Sequence, residues 1–94
     1  LSDATLRIDK WLWHARFLKS RSGAQRFLDE RIVRVNRLPV SKPSALVRVG
    51  DVVTLPFERE VRVVRILALG VRRGPPAEAR TLWEEIAGSG APPE

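Results

Sequence analysis

The sequence predicts an α+β fold: a helix pair packed on a small, mostly antiparallel sheet, with a C-terminal helix closing one side. Three observations carry this. Between Arg7 and Glu30, apolar residues recur at helical spacing in two blocks. Between Ile32 and Leu69, short β-branched runs alternate with turn residues. After Pro75-Pro76 a third helical stripe begins. A chain of 94 residues supports one modest core and not two, so all three belong to one domain.

Leu1 to Thr5 has no periodicity and reads as a frayed, flexible start (1–5). Asp9 is placed to cap the first helix, accepting early amides and favouring its positive end. Ile8, Trp11, Leu12, Ala15 and Leu18 form the buried stripe, with Lys10, Arg16 and Lys19 off it. Trp13 and Phe17 make a second apolar pair that another element must cover. His14 is the lone histidine, with no ligand partner at metal-binding spacing, and is assigned to a polar helix face or an RNA contact.

Ser20 is the next cap, opening a helix through about Glu30 with Ala24, Phe27 and Leu28 buried and Arg21, Gln25 and Arg26 pointing elsewhere. A break of only one to three residues makes the helices a compact pair. Arg16, Lys19 and Arg21 then converge at the corner, where free helix amides suit phosphate. A solvated charged corner is the plainer alternative.

Ile32 to Asn36 is β-branched and extended, Asn36-Arg37 turns, and Leu38 to Val40 returns. Lys42-Pro43-Ser44 is a loop carrying a cation beside a stiff proline. Val47 to Leu55 contains a strand entered through Gly50-Asp51, and Glu60 to Leu69 a longer one with Arg62 and Arg65 outward. Gly70 to Pro76 is a breaker cluster. The third helix has Ala79, Leu82, Trp83 and Ile86 as its apolar stripe and Glu78, Glu84 and Glu85 as its polar face, and the stripe is a suitable cover for Trp13 and Phe17. Residues 88–94 are Gly/Pro-rich and expected to be flexible.

The net charge is +6, a balance that favours polyanionic partners. Fourteen of the 17 basic residues are arginine, which genomic base composition or high-temperature adaptation would also produce. Distribution is more telling. Arg7 to Ser44 holds ten Lys/Arg against three Asp/Glu, whereas residues 51–94 hold six against seven. The excess is concentrated where the helix pair and first turn lie.

No apolar run reaches the roughly 20 residues of a membrane span and no signal-peptide pattern opens the chain. Absence of cysteine excludes a disulfide framework and a Cys-based zinc site and makes the cytoplasm the natural compartment. With no methionine, Leu1 is not an initiator, and segments beyond either terminus are expected. No serine has a histidine at motif spacing, no paired carboxylates stand out and no Gly-rich phosphate loop is present. The chain is therefore read as non-enzymatic, with no cofactor, no metal and no small-molecule substrate.

Arg7-Ile8-Asp9-Lys10-Trp11-Leu12, Lys19-Ser20-Arg21-Ser22-Gly23-Ala24, Val33-Arg34-Val35-Asn36, Lys42-Pro43-Ser44 and Val49-Gly50-Asp51 together resemble the alpha-L RNA-binding motif of ribosomal protein S-four, pseudouridine synthases and some tyrosyl-tRNA synthetases. The motif would occupy residues 7–55, and residues 56–87 would be a family-specific extension completing the same domain. Asp9 to Trp13 with Ala15-Arg16-Phe17, and Arg72 to Ala79 followed by Leu82-Trp83-Glu84-Glu85, are similar to the fifteen-kilodalton bacterial heat-shock protein family. Two departures stand out: the motif commonly has glycine where this chain has Arg31 and Arg37. Arg37, in a tight turn, would then accept a left-handed backbone at about 1 kcal/mol, or the turn would take another type; both changes add charge beside the proposed surface.

The resemblance implies a stress-response protein that binds ribosomal RNA of the large ribosomal subunit and recycles free large subunits carrying peptidyl-tRNA. It implies Arg7, Lys10, Arg16, Lys19, Arg21, Arg37 and Lys42 as the RNA-facing cations, with tRNA a further partner. No membrane partner is called for, and a monomer is the default because no apolar seam is evident. Rival readings are the RNA-docking domain of a pseudouridine synthase or aminoacyl-tRNA synthetase, and a basic protein-interaction domain. DNA is the weaker nucleic-acid partner, since neither helix looks like a groove-reading helix-turn-helix with a dimer seam.

Overall fold

The structure, a computed structural model, describes residues 4–87. The flexible ends expected at 1–5 and 88–94 lie outside the described residues, apart from Ala4 and Thr5. A two-residue strand β1 (Leu6–Arg7) leads directly into helix α1 (Ile8–His14). Asp9 is not the cap. Arg7 holds that position without a side-chain cap bond, and the first amides are taken by a distant loop: Ile8 N–H donates to Ala45 O (2.8 Å) and Asp9 N–H to Pro43 O (3.3 Å). Those carbonyls satisfy orphan helix donors and leave the Asp9 carboxylate free for another purpose.

α1 ends at His14, four residues before the expected Leu18. Arg16 N–H donates to Trp13 O (3.1 Å) and Phe17 N–H to Leu12 O (3.0 Å), the paired bonds of a Schellman cap. Arg16 sits at the left-handed position of that cap, φ 65°, where glycine is usual. The linker to the next helix is therefore Ala15–Ser20, longer than the expected one to three residues. What the reversal gains is burial of Phe17, whose ring lies 4.9 Å from Trp83, 5.9 Å from Trp11 and 6.3 Å from Phe57.

Helix α2 (Arg21–Glu30) starts where Ser20 Oγ accepts from Gly23 N–H at 2.9 Å, and it buries Ala24, Phe27 and Leu28 as expected. Beyond it, β2 (Arg34–Val35) and β3 (Leu38–Pro39) form a hairpin. Asn36 and Arg37 at its tip both have positive φ, 52° and 74°, the type I′ geometry that matches strand twist. Strand β4 (Leu46–Val47) leaves this path to pair with β1, a pairing for which the start of the chain had given no sign. β5 (Val52–Pro56) and β6 (Val61–Ile66) then complete an antiparallel run with a final strand in the order β3-β2-β5-β6-β7, where β7 is Trp83–Ala87.

The C-terminal helix is present but short. Pro76 opens α3 (Pro76–Ala79), a 3₁₀ turn follows over Arg80–Leu82, and β7 takes the rest. Trp83 and Ile86, read as part of a helical stripe, lie on this strand, where Trp83 is half-buried and Ile86 exposed. The open edge of β6 decides the outcome. In strand form, Glu84 meets Arg65 (2.9 Å) and Glu85 meets Arg62 (2.6 Å) across the ladder, pairs that a helix would leave in solvent.

Ile8, Trp11, Leu12, Val33, Val53, Leu55, Val64 and Ile66 have no exposure and form the core between the helices and the sheet. Two polar atoms on α1 clamp the segment after β6: Trp11 Nε1–H donates to Ala68 O (3.0 Å) and His14 Nδ1 lies 3.2 Å from Leu69 O. His14 is thus buried rather than on a polar face, because a carbonyl 55 residues away supplies its partner. Only an Nδ1–H tautomer can donate there.

Arg37 stores strain that glycine would remove. Arg37→Gly is expected to raise stability by about 0.5–1 kcal/mol, read as a higher denaturant midpoint with an unchanged slope. A lower midpoint would show that the Arg37 side chain contributes more than its backbone costs.

Candidate nucleic-acid interface

The site begins with a buried charge. Asp9 has no exposure, yet Arg7 places Nη2 at 2.8 Å and Nε at 3.1 Å from its two oxygens. Gln25 Nε2 donates at 3.0 Å and Arg21 Nη2 stands 3.6 Å away. Burial alone pushes the Asp9 carboxyl upward, but the hydrogen bonds from Arg7 and Gln25 and the charges of Arg7 and Arg21 outweigh it, leaving the group below its ordinary range. The same contact raises Arg7. One carboxylate therefore holds a strand residue and two α2 side chains in register.

The loop that carries Lys42 also reaches this cluster, since Pro43 O is the acceptor for Asp9 N–H. The structure so brings Arg7, Arg21 and the backbone beside Lys42 to the start of α1. Lys10 lies half-buried on the same helix, with no partner among the described residues. Arg16, Lys19 and Arg21 do not share one corner as expected. Arg16 Nε donates to Gly74 O (2.6 Å), while Arg21 turns to Asp9.

Lys19 borders a groove of about 530 Å³ whose walls include Phe17, Phe27 and Phe57, with Arg26 and Arg31 also lining it. Arg37 is exposed at the hairpin tip. That tip is tied to the Gly50-Asp51 turn by Asn36, which donates to Asp51 Oδ1 (3.0 Å) and accepts from Val52 N–H (2.9 Å).

Sequence reasoning missed Gln25 as a partner of Asp9, the burial of Asp9, and the basic wall Arg26; Arg31 it singled out only as a departure from the motif. One signal for Asp9 was available: it lies three residues before Leu12 and beside Ile8, hence next to the buried stripe. The contacts of Arg31 gave none, because its bond to Pro56 O (2.9 Å) and its position 5.4 Å over Phe27 depend on tertiary packing. Among the described residues, no group of three or more His, Cys, Asp or Glu is gathered for a metal, and no helix is long and apolar enough to cross a membrane.

This arrangement coincides with a known module: residues 6–53 match the S4 domain family. Heat shock protein 15 of Escherichia coli (strain K12) is 39% identical over 84 residues, covering 89% of this chain and 62% of that protein. The Haemophilus influenzae homolog is 35% identical over 89 residues, covering 95% and 67%. The structure of Vibrio cholerae heat shock protein 15, described as trimeric, superposes with a TM-score of 0.81 at 34% identity, covering 89% of this chain and 84% of that one. The chain belongs to the heat shock protein 15 family of S4-domain proteins. It spans about 62% of the length of the E. coli relative.

The Asp9 cluster sets an acid dependence. The folded carboxyl lies below its unfolded value of about 3.9, so the unfolded chain binds more protons in acid. Stability from this group is full above about pH 4 and is lost as pH falls through the lower folded value. Asp9→Asn is expected to flatten that dependence and cost about 1–2 kcal/mol at neutral pH. Urea unfolding from pH 2 to 7 measures both, and an unchanged acid limb in the variant would remove Asp9 as its source.

Proposed function

We propose that this chain is a non-catalytic RNA-binding protein that docks on ribosomal RNA of the large subunit and acts in the cytoplasm. In this reading it recycles free large subunits that still hold peptidyl-tRNA after heat or failed translation. The observation that carries it is the imbalance inside the S4-matching region, with ten basic residues against three acidic ones from Arg7 to Ser44. Of those three acids, Asp9 is buried and already committed to its own cations, so it does not neutralise Lys10, Lys19, Arg37 or Lys42.

These four, with Arg7, Arg16 and Arg21, are the cations we assign to RNA. Their contacts are to phosphates and to the shape of a helical junction, since the deep, narrow major groove of an RNA helix does not admit side chains to its base edges. Arg7 and Arg21 are positioned by Asp9, so their guanidinium planes arrive with less rotamer freedom to lose.

The direct test is co-sedimentation through sucrose gradients with ribosomes, free subunits and large subunits stalled with peptidyl-tRNA, at two salt concentrations. Co-migration with the large subunit, strongest when a nascent chain is held, is expected; binding to none of them by folded protein overturns the proposal. For the residues, Lys42→Ala or Lys19→Ala should weaken RNA binding and reduce the magnitude of the salt slope by about 0.7–0.9 each. Titrations between 50 and 300 mM salt read this, and two unchanged slopes would move the RNA surface elsewhere.

A further inference from the structure

A second cationic feature lies outside the cluster around Asp9. A cavity of about 160 Å³ sits between the reversal after α1 and the corner joining α3 to β7. Its charged lining consists of three arginines, Arg16, Arg62 and Arg80, and no carboxylate lines it. Three arginines from three separate elements line this one cavity, and like charges brought this close repel unless an anion lies among them.

Each of the three keeps donors to spare. Arg16 uses Nε on Gly74 O (2.6 Å) and has both terminal nitrogens left. Its left-handed backbone, φ 65°, is a position glycine would fill more cheaply, and strain of this kind collects at functional sites. Arg62 gives Nη2 and Nε to Glu85, with its guanidinium carbon over Trp83 (5.0 Å) and Phe17 (5.5 Å), which leaves Nη1. Arg80 has no partner among the described residues. With Glu85 offsetting one of the three charges, two remain uncompensated. The indole N–H of Trp83, another wall of the cavity, is buried and also lacks an acceptor.

We infer that this pocket binds a phosphate oxyanion through Arg16, Arg62 and Arg80. The volume agrees: it is below the roughly 300–1,000 Å³ of sites that enclose drug-sized ligands, and suits a phosphate group with its waters. Planar guanidinium forks match phosphate oxygens in pairs. The phosphate comes either from an RNA backbone or from free inorganic phosphate. Arg16 is shared with the cations assigned to RNA above, whereas Arg62 and Arg80 are not, and the site does not require the large-subunit reading.

The test compares melting of the chain in sodium phosphate and in sodium chloride at equal ionic strength. Wild-type protein should show a saturable rise in Tm of roughly 5 °C or more in phosphate. Arg80→Gln should abolish that rise while melting normally in chloride, since Arg80 has no partner to lose. Arg59→Gln, removing an exposed arginine outside the pocket, should keep it.

A second arm measures the salt slope for binding a large-subunit RNA fragment. A slope reduced in magnitude by about 0.7–0.9 in Arg80→Gln, together with the phosphate response, identifies an RNA backbone phosphate. A phosphate response with the slope unchanged identifies the free ion. No phosphate response in the wild type, or a response that Arg59→Gln removes equally, overturns the pocket whatever the slope does.

Discussion

A carboxylate shut off from water must be met by donors on every side, and the burial of Asp9 imposes that requirement on the first third of the fold. Desolvating such a group costs several kcal/mol, which only close, well-directed partners offset. Arg7 supplies two hydrogen bonds from the strand before α1, Gln25 supplies a third from α2, and Arg21, also on α2, adds its charge at 3.6 Å. The spacing from Arg21 to Gln25 is one helical step of four, so both reach the same side of α2. One buried charge thereby sets the relative position of strand, first helix and second helix. It also orients two cations that remain 45% and 38% exposed at the surface. The RNA-binding role proposed for these cations does not compete with their structural one, because the shape that stabilises the helix pair is also the one that presents positive charge.

The rest of the chain completes the other side by aromatic packing. Phe17, released by the Schellman turn, meets Trp11, Phe57 and Trp83, and Phe57 in turn meets Phe27 at 5.1 Å. Residues of the S4-matching region and of the segment beyond it thus share one cluster. Arg62 lies over two of these rings and bonds Glu85 on the neighbouring strand, fastening β6 to β7 while sealing the cluster. The segment after residue 53 is consequently no appendage: the sheet and the aromatic core both run through it.

Much of this was legible in the sequence. The α+β class, the Ser20 cap, the buried faces of both helices and the Asn36-Arg37 turn all follow from local patterns that tertiary contacts reinforce. The failures share a cause. Asp9 reads as a cap because a carboxylate before an apolar stripe normally is one, and only the 43–45 loop, far away in sequence, removes that duty. His14 reads as polar because Leu69 O is invisible from its neighbours. The stretch from Leu82 to Ala87 fits both periods, since a run this short places apolar residues acceptably on a helix or a strand. An unpaired strand edge and two arginines chose the strand. As for the candidate site, the sequence offers its cations as residue types, but their grouping is not legible there, because side-chain partners set it.

Arg16 and Arg37 bring the two sides together. Both take left-handed backbone at positions where glycine costs least, one ending a helix and one turning a hairpin. A chain selected for stability alone would hold glycine at each. Left-handed residues also sit at sharp reversals, where the backbone is fixed by flanking bonds: Arg16 by the Schellman pair, Arg37 by the hairpin and the Asn36 bridge to Asp51. A side chain issuing from such a reversal starts from an anchored base, so less conformational freedom is lost when its charge meets a ligand. The cost in backbone strain, about 1 kcal/mol per residue, is small beside one charge-assisted contact to phosphate, about 1.5–3 kcal/mol. Arginine at these turns is therefore consistent with a molecule that gives up a little folding free energy to hold cations in place.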